Sequence, residues 1–145
     1  MKEIEFHFNV SDKLQYGCRL LRKAYRAGNR VVVTAEADVL AELDQLLWQF
    51  SPTEFLPHCT ATAAAPSLAM TPILLTERPE VCAPESVLIN LGQGIPAGFD
   101  RFERFIELVS GQAADRLAGR ERWKSYAAAG VALKRFDLAE GRETA

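Results

Sequence analysis

The chain has 145 residues, 48% of them hydrophobic, with 17 basic against 19 acidic side chains and a formal net charge of −2. That length suffices for one domain around one core, burying roughly 70% of the unfolded surface, while a pI near 5.7 excludes the global positive field that would hold nucleic acid, leaving only local or weak contact with it. No stretch approaches the roughly 20 apolar residues that cross a bilayer, and the start Met1-Lys2-Glu3-Ile4-Glu5 carries acid and no apolar signal segment, so a soluble, cytoplasmic chain is expected.

Ile4 to Val10 alternates apolar and polar residues with period two and reads as a strand, and Ser11-Asp12 offers a helix N-cap before Leu14, Cys18, Leu21 and Tyr25. Gly28-Asn29 ends that helix; Arg30 to Thr34 is a β-branched run, and Glu36 to Trp48 repeats Val39, Leu40, Leu43, Leu46 and Leu47 at helical spacing. A strand, helix, strand, helix opening implies parallel pairing. Ser51-Pro52 breaks the chain, Phe55 to His58 reads as a short extended segment, and Thr60 to Ser67 as a loop. Pro72 to Thr76 and Ser86 to Leu91 are further strands around the Pro-rich linker Glu77 to Pro84. Phe99 to Ser110 is ambiguous by pattern alone, since Phe102, Phe105, Ile106 and Val109 suit a helix and Phe105 to Val109 also suits a buried strand. A helix follows from about Ala113 to Ala129, and the charged stretch from Lys134 to Ala145 is expected to fray. The expected fold is α/β: one domain with a mainly parallel sheet and helices on both faces.

Several patterns invite a chemical reading. Gly92-Gln93-Gly94-Ile95-Pro96-Ala97 matches GxGxxA after a strand, which makes a dinucleotide-binding, oxidoreductase-like domain an alternative. The strand is a late one, however, Pro96 sits inside the turn, and no acid ends a strand at the required distance, so a glycine loop that turns the chain is preferred. No phosphate-binding GxxxxGK[ST] run exists, which argues against an ATPase or kinase. His7 and His58 are the only histidines; His58 lacks a nearby carboxylate or serine and reads as structural. Cys18, Cys59 and Cys82 form no CxxC pair and fit a reducing compartment as core fillers. Glu36, Asp38, Glu42 and Asp44 complement the dipole of the second helix or keep its face wet. Arg19, Arg22, Lys23, Arg26 and Arg30 follow one face of the first helix, so a direct, weak single-stranded DNA binder is a second alternative, with a solvated face preferred.

Two features point to binding partners. Arg116, Arg120, Trp123, Lys124 and Ala127 share one helical face before the turn at Gly130. A guanidinium fork, an ammonium and an indole side by side form a receptor for a peptide end with a carboxylate and an apolar ring; a solvated helix with Trp123 tucked inward is the equal structural reading. Trp48, Phe50 and Phe55 gather aromatic area around a proline break, as a partner's anchors or as a plug on the core.

Leu47-Trp48, Phe55-Leu56-Pro57-His58 and Arg120-Glu121-Arg122-Trp123-Lys124-Ser125-Tyr126 with Gly130, together with Glu5-Phe6-His7-Phe8 and Asn29-Arg30-Val31, resemble the chi subunit family of bacterial DNA polymerase III, accessory proteins of the clamp loader. The resemblance spans Met1 to about Phe136, implying a chi-like domain over 1–136 and a flexible tail over 137–145. It implies a nucleotide-binding-like sheet without a nucleotide site, Phe105 to Val109 as a strand after a short helical turn, and no catalytic residue, metal or cofactor of the chain's own. It also implies that the chain links the clamp loader, through the psi subunit, to the acidic C-terminal tail of single-stranded DNA-binding protein. The family's tail-binding positions fall on Arg120, Trp123, Lys124 and Gly130, and its psi-binding surface on Trp48 and Phe55. Trp123 stands where the family commonly has tyrosine, and Ala127-Ala128-Ala129 is less basic than the family pattern.

Overall fold

The computed structural model describes residues 3–49, 58–60, 73–79 and 87–138. In chain order these form β1 (Glu3–Val10), α1 (Lys13–Arg26), β2 (Val31–Thr34), α2 (Ala37–Gln49), β3 (His58–Thr60), β4 (Ile73–Leu75), β5 (Val87–Asn90), a 3-10 turn (Phe99–Arg101), β6 (Arg104–Ser110), α3 (Ala113–Ala128) and β7 (Ala132–Asp137). The described strands make one seven-stranded sheet in the order β3-β4-β2-β5-β6-β1-β7. Every neighbouring pair is parallel, as the alternating strand and helix pattern implies. The ambiguous segment resolves into the 3-10 turn followed by β6, the form implied by the family resemblance.

Period-two alternation assigns side chains to two buried faces. Val31, Val33, Ile89, Ile106 and Leu108 meet Leu21 of α1 and Leu40, Leu43 and Leu47 of α2 in one cluster. Phe6, Val32, Leu88, Phe105 and Val109 meet Tyr126 of α3 in the other. The result is a three-layer α/β arrangement with helices on both faces. Cys18 lies in the first cluster, where burial pushes its thiol up to about 11, as suits a core filler.

Local signals set the helix ends. Asp12 accepts a hydrogen bond from the Gln15 amide at 3.1 Å and caps α1. At the other end Gly28 takes a φ of 83° while the Asn29 amide donates back to the Ala24 carbonyl at 3.0 Å. The same device ends α3: Gly130 has a φ of 80° and the Val131 amide donates to the Tyr126 carbonyl at 3.1 Å. Along α3, Gly119 permits close approach to the sheet, since a Cβ there would stand 2.8 Å from a Val109 methyl.

One expectation is corrected. Lys134 to Asp137 is not frayed but belongs to β7, paired with β1 from Glu3↔Ala132 to Phe8↔Asp137. β7 is an edge strand, and charged side chains such as Lys134 and Arg135 discourage further pairing at an edge, so its composition resembles that of a tail. Phe50, Phe55, residues 61–67 and residues 80–84 lie outside the described residues.

Candidate functional site

The run from Arg120 to Tyr126 divides between two stripes of α3. Arg116, Arg120, Trp123 and Lys124 line a cavity of about 410 Å³ together with Phe8, Asn9 and Arg135. Arg116, Arg120 and Lys124 are exposed. The indole of Trp123 is partly buried, with its ring edge-on to Phe6 at 5.0 Å and tilted against Phe8 at 5.9 Å. The residue thus packs on the core with one part of its ring and walls the cavity with another. Of the shared-face residues expected from spacing, Ala127 is absent from the lining, and so is Gly130, whose positive φ serves the helix stop.

Sequence reasoning missed the far side of the cavity, built by β1 and β7. At Asn9 the backbone turns to a φ of 58° where the β1–β6 register shifts between His7 and Val10. The Asn9 side-chain amide donates to Asp137 at 2.8 Å, and Arg135 reaches the other Asp137 oxygen at 3.5 Å while lying 5.3 Å over the Phe8 ring. Apolar ring surface and cationic groups thus line one open space, an arrangement suited to a ligand with a carboxylate beside an apolar group.

The adjacent stripe of α3 is buried. Arg122 is 2% exposed and donates through Nε to Glu107 Oε2 at 3.1 Å and through Nη1 to the Gln93 carbonyl at 2.8 Å. Tyr126 donates its hydroxyl to the same Glu107 oxygen at 2.6 Å, and Asn90 donates to Glu107 Oε1 at 2.9 Å. Burial pushes the Glu107 carboxyl up to about 7 despite the opposing pull of Arg122, Tyr126 and Asn90. Burial and then the neighbouring Glu107 carboxylate push the Tyr126 phenol upward. Among α3's inward anchors, Asp115 accepts from the Ser110 amide at 2.7 Å and lies 3.2 Å from Lys13 Nζ. These contacts fix the rotation of α3 about its axis, and so fix which stripe faces the cavity. Sequence reasoning missed this network, and its one trace there is a lone acid at Glu107 between Phe105 and Val109 on the same strand face.

The glycine loop is engaged internally. The Gly92 amide donates to Asn90 at 2.9 Å, the Gln93 amide to Glu36 at 3.1 Å, and the Gly94 carbonyl accepts from Asn90 at 3.0 Å. A Cβ at Gly92 would stand 3.0 Å from the Glu36 carboxylate, so the glycine serves a close approach within the protein. Beside this loop, at the C-terminal ends of the strands where open α/β sheets hold ligands, lies a cleft of about 610 Å³. It is lined by Asp12, Glu36, Asp38, Glu42 and Asp115 against Lys13. Phosphates would meet carboxylates there.

The remaining residues singled out in the sequence lie elsewhere. His7 is buried with Nδ1 2.6 Å from the Tyr16 hydroxyl, and His58 begins β3. Arg19, Lys23 and Arg26 are exposed on α1, with the Arg19 guanidinium 5.6 Å from the Tyr16 ring centre. Trp48, near the end of α2, is 56% exposed and is the bulkiest of the exposed apolar side chains among the described residues, the others being Ile95 and Leu117.

Fold and charge layout define an α/β protein of nucleotide-binding-like topology whose strand-end cleft carries acid where a phosphate site would carry amide donors and lysine. The family model described as DNA polymerase III chi subunit, HolC, matches residues 1–134. The chain is 34% identical over 139 residues to DNA polymerase III subunit chi of Pseudomonas aeruginosa, covering 92% of this chain and 95% of that one. It is 32% identical over 112 residues to the chi subunit of Haemophilus influenzae, covering 76% of each chain. With that of Escherichia coli it shares 26% over 120 residues, covering 82% of this chain and 81% of that one. The chain belongs to the DNA polymerase III chi subunit family. Membership places it in DNA replication, among the subunits of the polymerase III complex. No described helix is long and apolar enough to cross a membrane.

Proposed function

We propose that this chain is a non-catalytic, cytoplasmic adaptor that joins the clamp loader to single-stranded DNA-binding protein by capturing that protein's acidic C-terminal tail. The observation that carries this reading is the convergence of Arg116, Arg120, Lys124 and Trp123 on one open cavity floored by Phe8. In this reading Arg120 pairs with the terminal carboxylate of the tail, Lys124 attracts its acidic side chains, and Trp123 walls the pocket for its last phenylalanine. Gly130 acts indirectly, by ending the helix that carries them. Trp48 is the described part of the surface offered to the psi subunit, with Phe55 as its second anchor. Contact with nucleic acid is indirect or weak.

Titration calorimetry with a short acidic peptide ending in a free-carboxylate phenylalanine tests this. Binding at micromolar strength, roughly −8 kcal/mol, is expected for the wild-type chain, with most of it lost in Arg120→Ala or on amidating the peptide end. Equal affinity for the amidated peptide would refute the pocket.

A further inference from the structure

The cations around the cavity come from two elements: α3 supplies Arg116, Arg120 and Lys124, and β7 supplies Arg135. Resting on the reading of the cavity as a receptor for a peptide carboxylate, we propose that Arg135 is a second specificity-determining cation, which grips the free C-terminal carboxylate jointly with Arg120.

Three observations support this role. First, strand alternation places Arg135 on the α3 side of the sheet, opposite Phe6 of β1 and in register with the ring stack that supports Trp123. Its guanidinium lies 5.3 Å over Phe8, and Phe8 lies 5.9 Å from Trp123, so the charge sits at the border of the aromatic floor. An apolar ring resting on that floor brings the carboxylate attached to its residue between α3 and β7.

Second, Arg135 is positioned by a relay that begins in the backbone. The left-handed φ of 58° at Asn9 interrupts β1 at its register shift, a conformation asparagine tolerates better than most side chains. Asn9 then holds Asp137 at 2.8 Å, and Asp137 steadies Arg135 at 3.5 Å. Backbone strain retained at the wall of a cavity, and coupled to a charge in that same wall, is an arrangement typical of binding sites.

Third, the Asp137 contact leaves Arg135 accessible. Its side chain is 63% exposed, and Asp137 engages one terminal nitrogen of a fork that has five N–H donors. A single arginine senses negative charge wherever it falls along a peptide. Two arginines on separate elements fix its location, and so separate a chain terminus from an internal acid.

The test uses the full chain and a short acidic peptide ending in phenylalanine, as the free acid and as the C-terminal amide, titrated by calorimetry against wild type, Arg120→Ala, Arg135→Ala and Arg135→Lys. Arg135→Ala is expected to weaken the free acid about tenfold and to leave the amide unchanged, as the loss of a charge-assisted hydrogen bond predicts. Replacing an internal acidic residue of the peptide by asparagine should cost the same in wild type and Arg135→Ala, and Arg135→Lys should restore part of the preference for the free acid. Should Arg135→Ala keep the full preference for the free acid, or weaken both peptides equally, while Arg120→Ala loses binding, the proposal is overturned and the cavity reading stands. If wild type binds neither peptide, or Arg120→Ala binds like wild type, the cavity reading fails and takes this proposal with it.

Discussion

Helix α3 carries arginine on two adjacent stripes, and the fold treats them in opposite ways. Arg122 is enclosed, paired with Glu107 and bonded to the Gln93 carbonyl, whereas Arg120 is exposed beside Trp123 at the edge of an open cavity. A single residue, Glu121, separates them in sequence. The buried arginine supplies orientation, because its contacts to β6 and to the glycine loop set the angle at which α3 lies on the sheet. The exposed arginine supplies charge to solvent, where a ligand can compete for it. Removing one should damage the fold and removing the other should damage recognition.

The largest expected effect lies on the buried side. Arg122→Met leaves the Glu107 carboxylate enclosed without its guanidinium and should destabilise the protein by about 3–5 kcal/mol at pH 8, measured by urea unfolding. The loss should shrink near pH 5, where Glu107 is protonated and no longer needs a cation. In the wild type this carboxyl titrates at about 7 in the folded state against a usual 4.5. The folded protein therefore binds that proton more tightly than the unfolded chain. Its stabilising contribution is full below about pH 4.5 and is lost as pH climbs through about 7. Glu107→Gln should remove this slope from the stability profile, and a profile identical to that of the wild type would separate the network from the pH response.

On the open side, Arg120→Ala should leave the urea midpoint unchanged and lower affinity for the acidic peptide by about 3 kcal/mol, the upper end of the range for hydrogen bonds to charged groups, so that little binding remains at micromolar peptide. A stability loss with unaltered affinity would reverse the roles given to the two stripes. Gly119→Ala forces a Cβ against Val109 and should cost about 1–3 kcal/mol as α3 shifts off β6. If the helix tilts, peptide affinity should fall with stability, since the stripes move as one body. The smallest effect is expected at Trp48→Ala, which should change stability by no more than about 0.5 kcal/mol because the ring is largely in solvent. A larger loss in thermal unfolding would place Trp48 with the core and remove its reading as a docking surface.

Much of this comparison was legible in the sequence, and the illegible part has physical causes. Helical periodicity brought Arg116, Arg120, Trp123 and Lys124 to one face, because spacing along α3 is fixed by the helix itself. The N-cap at Asp12 and the stop at Gly28 were equally local. β7 was not legible, since an edge strand is free to be charged and its pairing partner β1 lies at the other end of the chain. Phe8, Asn9 and Arg135 were hidden with it. The buried network was missed for a related reason: Glu107, Arg122 and Tyr126 each read as ordinary strand or helix residues until tertiary packing brings them together.

The chain contains two tryptophans, Trp48 and Trp123, so a Trp48→Phe background leaves the cavity indole as the sole reporter. Titrating that protein with the phenylalanine-ended acidic peptide should shift Trp123 emission saturably, with a midpoint in the micromolar range, and the C-terminal amide should produce little change at the same concentrations. An unchanged spectrum, or one that shifts equally with both peptides, would contradict the claim that this cavity receives a free peptide carboxylate.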